Sequence, residues 1–182
     1  MSTQFCFSGG DVGPWRIRGC RAISGEPVAD VARINVTSGD DSAPQGASTW
    51  QIRAFTSNLR YAERHEVHRL QAVQEPLDRP EAVHAAMIPI KKSAAWWQLA
   101  QDERRAIFEA QSHHTEIGLK YLPEVARQLY HAGDLGEVFD FVTWFEFAPE
   151  HEAAFDALLV ELRAAPEWAY VEREVDIRLV RT

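Results

Sequence analysis

The sequence predicts an α+β fold: a ferredoxin-like β-α-β-β-α-β unit over residues 85–181, preceded by a reduced N-terminal companion half. Three observations carry this. Residues 85–92, 125–131, 138–147 and 171–181 alternate or are rich in β-branched and aromatic side chains. Amphipathic helical stretches fall before the second and the fourth of them. Glu75-Pro-Leu-Asp-Arg-Pro80 is a proline-marked connector, and no long helical period precedes it. The chain therefore divides into a strand-rich part, residues 1–80, and a ferredoxin-like part, residues 81–182.

Before the connector, strands are expected from Pro14 to Cys20, from Val31 to Thr37 and from Thr49 to Thr56. In the last of these, Trp50, Ile52 and Ala54 lie opposite Gln51, Arg53 and Phe55. Ser38 to Gly46 is rich in turn formers and reads as a loop. Glu66 to Val73 reads as a further strand. His65 and His68 have no third ligand near them and are expected to be exposed.

After the connector comes the apolar strand Ala85–Lys92, which Pro89 assigns to an edge or bulge. Ser93 caps a short helix, Ala94–Ala100. A break is expected near Gln101-Asp102. Without it, Trp96 and His114 would stand about 27 Å apart along one axis. Asp102–Tyr121 then reads as a helix capped by Asp102. Val125–His131 and Val138–Phe147 make a hairpin around Ala132–Glu137. Pro149–Leu162 is a helix whose buried stripe is Phe155, Leu158, Leu159 and Leu162. In the last strand Val171, Val175, Ile177 and Leu179 point inward.

Helical geometry separates the adjacent His113 and His114. His114 shares a face with Ile107, Ala110, Ile117, Gly118 and Tyr121, so it faces the interior. His113 shares a face with Glu109, Glu116 and Lys120, so it faces water. Gly118 disfavours the helix by about 1 kcal/mol against Ala, so it needs a reason. Room for a flat group ligated by His114 is one. A core histidine bonded through its ring nitrogens fits the same pattern.

The net charge of −8 argues against nucleic acid and anionic membrane as main partners. No apolar run is long enough to span a bilayer. The first residues lack the pattern of a signal peptide, so a cytoplasmic location is expected. Cys6 and Cys20 form neither CxxC nor CxxCH, which excludes a zinc ribbon and covalent haem attachment. Six tryptophans supply core, or the walls of a pocket for a flat cofactor.

Three further features are ambiguous singly. Arg127 sits in a strand between apolar Val125 and Leu129, suited to an anion or to a salt bridge at the sheet edge. Glu167 lies just past a helix stop, beside Trp168. Lys92-x3-Trp96-Trp97 joins a cation to two large rings. Taken in order, Lys92-x3-Trp96-Trp97, His114, Arg127 and Glu167 resemble the chlorite dismutase family, specifically its compact lineage.

That resemblance implies membership of the dimeric α/β-barrel superfamily, with residues 81–182 as the haem-binding half. It implies non-covalent haem b ligated by His114, with Glu167 as hydrogen-bond partner of the ligand. It places Arg127 on the distal side and Lys92, Trp96 and Trp97 near the propionate edge. The implied reaction turns chlorite into chloride and dioxygen through an oxo-iron species and hypochlorite, in a homodimer. Tyr61 stays open as a further contact. The alternative is a coproheme decarboxylase-like or peroxidase-like haem protein: Arg127 makes the decarboxylase secondary, since those enzymes carry a neutral residue there, and the distal aspartate motif of a dye-decolourising peroxidase is absent from the sequence. A ferredoxin-like binding module without haem is the non-enzyme alternative.

Overall fold

In the computed structural model, which describes residues 3–39, 47–56 and 63–182, eight strands close into one antiparallel barrel. The strands are β1 (Gln4–Gly10), β2 (Trp15–Ser24), β3 (Arg33–Ser38), β4 (Ser48–Phe55), β5 (His84–Lys92), β6 (Ala126–His131), β7 (Phe141–Phe147) and β8 (Val171–Arg181). The helices are α1 (Arg64–Val73), α2 (Ala94–Gln98), α3 (Gln101–Arg105), α4 (His114–Lys120) and α5 (Glu152–Ala164).

This corrects the expected ferredoxin-like unit with a reduced companion half. The strands run β1-β3-β2-β8-β5-β7-β6-β4 and back to β1. β2 pairs with β8 from Trp15↔Arg181 to Ser24↔Glu174, so an early strand continues the sheet of the late ones. The other seam, β4 to β6, is the single pair Phe55↔His131. Alternation told which side chains share a face, but not which distant strand edge each strand would find. Closure leaves no strand at a free sheet edge, although the β4–β6 seam is thin.

Two cores result. Inside the barrel pack Phe7, Trp15, Ile34, Ile52, Met87, Tyr130, Trp144 and Ile177. Close stacking here requires a glycine. A Cβ on Gly9 would lie 2.3 Å from the Trp50 ring. Outside, the α5 stripe Phe155, Leu158, Leu159 and Leu162 covers Ile88, Ile90, Phe145 and Phe147. That stripe is as the sequence reads it, as are the inward Val175, Ile177 and Leu179. Val171 instead packs partly buried on the outer core.

Several local expectations change. Residues 66–73 belong to a helix, α1, rather than a strand. Val67 and Leu70 recur at helical spacing, and the Glu63 N–H donates to Glu66 Oε2 at 2.6 Å, closing the first turn. His65 and His68 are exposed on it. Pro89 lies in β5, between β7 and β8, not at an edge. The β5–β8 ladder jumps from Met87↔Ile177 to Ile90↔Glu174, and the residue without an N–H sits in that gap. The break after α2 falls at Leu99-Ala100, where the Ala100 N–H donates to Glu103 Oε2 at 2.7 Å; Asp102 is not the cap.

Most consequential, Asp102–Tyr121 is not one helix. A π-helical turn occupies Ala106–Gln111, and His113 adopts left-handed φ 51° before α4 begins. Most of the expected Ser38–Gly46 loop, residues 40–46, and Tyr61 lie outside the described residues. Both cysteines are free, Cys6 buried and Cys20 exposed. Among the described residues no helix is long and apolar enough to cross a membrane.

The α5 stripe supplies the burial that holds the helix on the barrel. Phe155→Ala is expected to destabilise the protein by about 3–5 kcal/mol, read as a lower midpoint in urea unfolding.

Candidate functional site

The outward side chains of β5, β6 and β7 do not all meet α5. Between them and helices α1, α2 and α4 lies a cavity of about 560 Å³. Alternation sends Lys92, Arg127, Leu129, His131, Phe141 and Thr143 toward it. Val67, Leu70 and Gln71 of α1, with Gln74 just past its end, close one side. Gln74 also covers the β6 edge beyond the thin seam, its Nε2 donating to the Arg127 carbonyl at 2.6 Å.

His114 and Glu167, 53 positions apart in the chain, meet here. The imidazole Nδ1 lies 2.8 Å from Glu167 Oε2. The other oxygen, Oε1, accepts from Lys92 Nζ at 2.7 Å. The Glu167 N–H donates to Ser112 Oγ at 2.9 Å, which ties the carboxylate's turn to the segment before α4. Burial alone would raise the Glu167 carboxyl, but the charges and hydrogen bonds of His114 and Lys92 hold it down at about 2. An ionised acceptor requires Nδ1 to carry its proton. In the neutral ring the lone pair is then on Nε2, which has no partner among the described residues.

The π turn sets the phase of this histidine. In an unbroken α-helix Ile107, seven back, would share its face. With the π turn and left-handed His113, Phe108 stacks on the His114 ring at 4.3 Å between centroids. Ala110, expected beside the ring, is exposed. His113 is exposed and His114 partly buried, as the face argument predicts.

Arg127 projects from β6 across to α4. A Cβ on Gly118 would stand 2.8 Å from its Nη1. The space beside Gly118 is thus taken by a guanidinium; room for a flat group is one of the two readings the sequence leaves open. Among the described residues no carboxylate pairs with Arg127, and desolvation alone pushes its pKa down. Arginine keeps its charge even so. An uncompensated cation in a cavity wall is chemically suited to an anion.

Lys92 is buried, with its ammonium on Glu167 and 4.5 Å from the Trp96 ring centroid. Its charge is thus matched by the carboxylate. Trp96 is fully buried and lines the cavity. Trp97 is outside the lining, 36% exposed, stacked on Phe141 with Arg104 over its ring. Sequence reasoning missed Phe108, Ser112, Gln74 and the wall role of Trp168. Only Trp168 carried a signal, its adjacency to Glu167.

Fold and site together define a barrel protein with a histidine–carboxylate couple and an unpaired arginine in one pocket. The chain matches the chlorite dismutase family over residues 42–181 and belongs to it. It is 52% identical to a dimeric chlorite dismutase from Nitrobacter winogradskyi, with a TM-score of 0.90 over 98% of this chain and 99% of that one. It is 40% identical over 86 residues to the chlorite dismutase of Ideonella dechloratans; the match covers 47% of this chain and only 28% of that protein's length. A mutant chlorite dismutase from Candidatus Nitrospira defluvii shares the fold, at 20% identity and a TM-score of 0.70 over 99% of this chain and 91% of that one.

Gly118→Ala adds about 1 kcal/mol of helix propensity and displaces the Arg127 head group. Stability measured in urea is expected to hold or rise slightly, while the Arg127 Nε–H resonance shifts.

Proposed function

We propose that this chain binds haem b through His114 and converts chlorite to chloride and dioxygen. The observation that carries the reading is the ionised Glu167 on Nδ1, which leaves His114 Nε2 free in a cavity that also holds an uncompensated Arg127. The residues fit the group. Cofactor pockets span roughly 300–1,000 Å³ and are mainly apolar, and this one is walled by Phe108, Leu129, Phe141, Phe145 and Trp96. Family membership and the extensive likeness to the Nitrobacter protein support the same reading.

When bound, haem supplies the redox-active iron at which oxygen is transferred. The chain's own residues do the rest. His114 would hold the haem iron through its imidazole. Glu167, by accepting from Nδ1, fixes the tautomer and makes the imidazole a stronger donor. Lys92 balances the carboxylate's charge and keeps it ionised. Arg127 would hold chlorite by charge and hydrogen bonds and would retain an anionic product beside it. Trp96 forms part of the wall, and Trp97 supports it through Phe141.

The Nitrobacter relative is described as dimeric, and its match along nearly the whole chain supports a homodimer here. With Cys6 and Cys20 both free, a reducing cytoplasmic compartment suits the protein.

Two measurements test the reading: a Soret band in the purified protein, then oxygen release on adding chlorite, followed with an electrode. A protein that takes up no haem, or one that evolves no oxygen with haem bound, contradicts it. His114→Ala is expected to lose haem, while the exposed His113→Ala retains it. Arg127→Ala is expected to keep the Soret band but complete several-fold fewer turnovers before the haem bleaches. An unchanged turnover number would remove Arg127 from the retention step.

A further inference from the structure

Beneath α5 lies a second buried carboxylate that the proposed reaction does not use. Glu174, on the outer face of β8, is fully buried. Its Oε1 accepts from Arg163 Nε at 2.8 Å and Nη2 at 2.6 Å. Its Oε2 accepts from Trp168 Nε1 at 2.8 Å. Arg163 also reaches Asp176 Oδ2 at 3.0 Å, and Asp176 Oδ1 accepts from Arg178 Nε at 2.6 Å.

Such a network is not needed to dock α5. The Phe155, Leu158, Leu159 and Leu162 stripe already does that, and apolar packing holds a helix as well as buried ion pairs do. What the network adds is direction. An indole N–H aimed at an ionised carboxylate has one orientation, whereas a ring packed among aliphatic groups can adopt several. Trp168 is the residue after Glu167, lines the same cavity, and lies with its ring centroid 5.7 Å from Lys92 Nζ. Lys92 is thereby held between the Trp96 and Trp168 rings, with its ammonium on Glu167.

We propose that Glu174 is a positioning residue for the His114–Glu167 couple, acting through the Trp168 indole. Arg163 fixes Glu174, Glu174 fixes the indole, and the indole sets the slot in which Lys92 meets Glu167. The turn Pro166–Tyr170 is thus clamped at two points, Ser112 on the Glu167 N–H and Glu174 on the Trp168 ring. The consequence for an iron ligand rests on the haem reading above; the effect on the imidazole itself does not.

The test compares Glu174→Gln and Trp168→Phe with the wild type. In 15N-labelled protein without haem, the His114 Nδ1 proton resonance reports its hydrogen bond to Glu167. In the ferrous haem-loaded protein, the iron–histidine stretch in resonance Raman reports the donor strength of the imidazole. Both variants are expected to weaken the Nδ1 hydrogen bond, lower the stretching frequency and cut haem affinity about tenfold. Folded variants with lowered thermal stability but wild-type His114 signals would overturn the proposal and leave Glu174 as an anchor for α5 alone. If Glu174→Gln does not fold, Trp168→Phe decides, since it keeps an aromatic ring at this position and removes the indole donor. If the wild type takes up no haem, the functional reading fails while the comparison without haem still decides this one.

Discussion

The arrangement of the site depends on one ionised carboxylate being kept inside the protein. Glu167 is almost wholly out of contact with water, where a lone charge is expensive. It is tolerated because one oxygen meets a lysine and the other meets an imidazole N–H. Each partner comes from a different element, β5 and α4, so the charge acts as a fastener between them. Removing either partner would leave a buried charge incompletely matched, which is why the three side chains are best regarded as one unit.

The cavity is asymmetric in charge. On one side Glu167 is matched by Lys92 and by the His114 ring, which lines the space. On the other Arg127 has no counter-ion among the described residues. A chain with a net charge of −8 thus places an unpaired arginine in a mainly apolar enclosure, where any attraction it exerts is local rather than long-range.

The segment before α4 shows how backbone irregularity serves that chemistry. A π turn followed by a left-handed residue is less favourable than continuing the α-helix. The rotation it introduces brings Phe108 over the histidine ring and Ser112 onto the Glu167 N–H. A regular helix would have presented Ile107 and Ala110 instead. The strain is local, and the packing of the site holds it.

Much of this was legible in the residues. The opposed exposures of His113 and His114 come out as expected, although a π turn and a left-handed His113 rather than a continuous helix set them. The outward and inward faces of β6, β7 and α5 follow from periods of 2 and 3.6 alone. So does the presence of Lys92, Trp96, His114, Arg127 and Glu167 as the polar and aromatic residues to examine. Periodicity is a property of neighbours a few positions apart, so it cannot report what pairs across 50 or 150 positions. The joining of β2 to β8 and of β4 to β6, the meeting of His114 with Glu167, the capture of Lys92 by that carboxylate and the filling of the Gly118 notch by Arg127 are contacts of that kind. They were decided only when the barrel closed, because only then do burial and hydrogen bonding select one partner from many of equal local fitness.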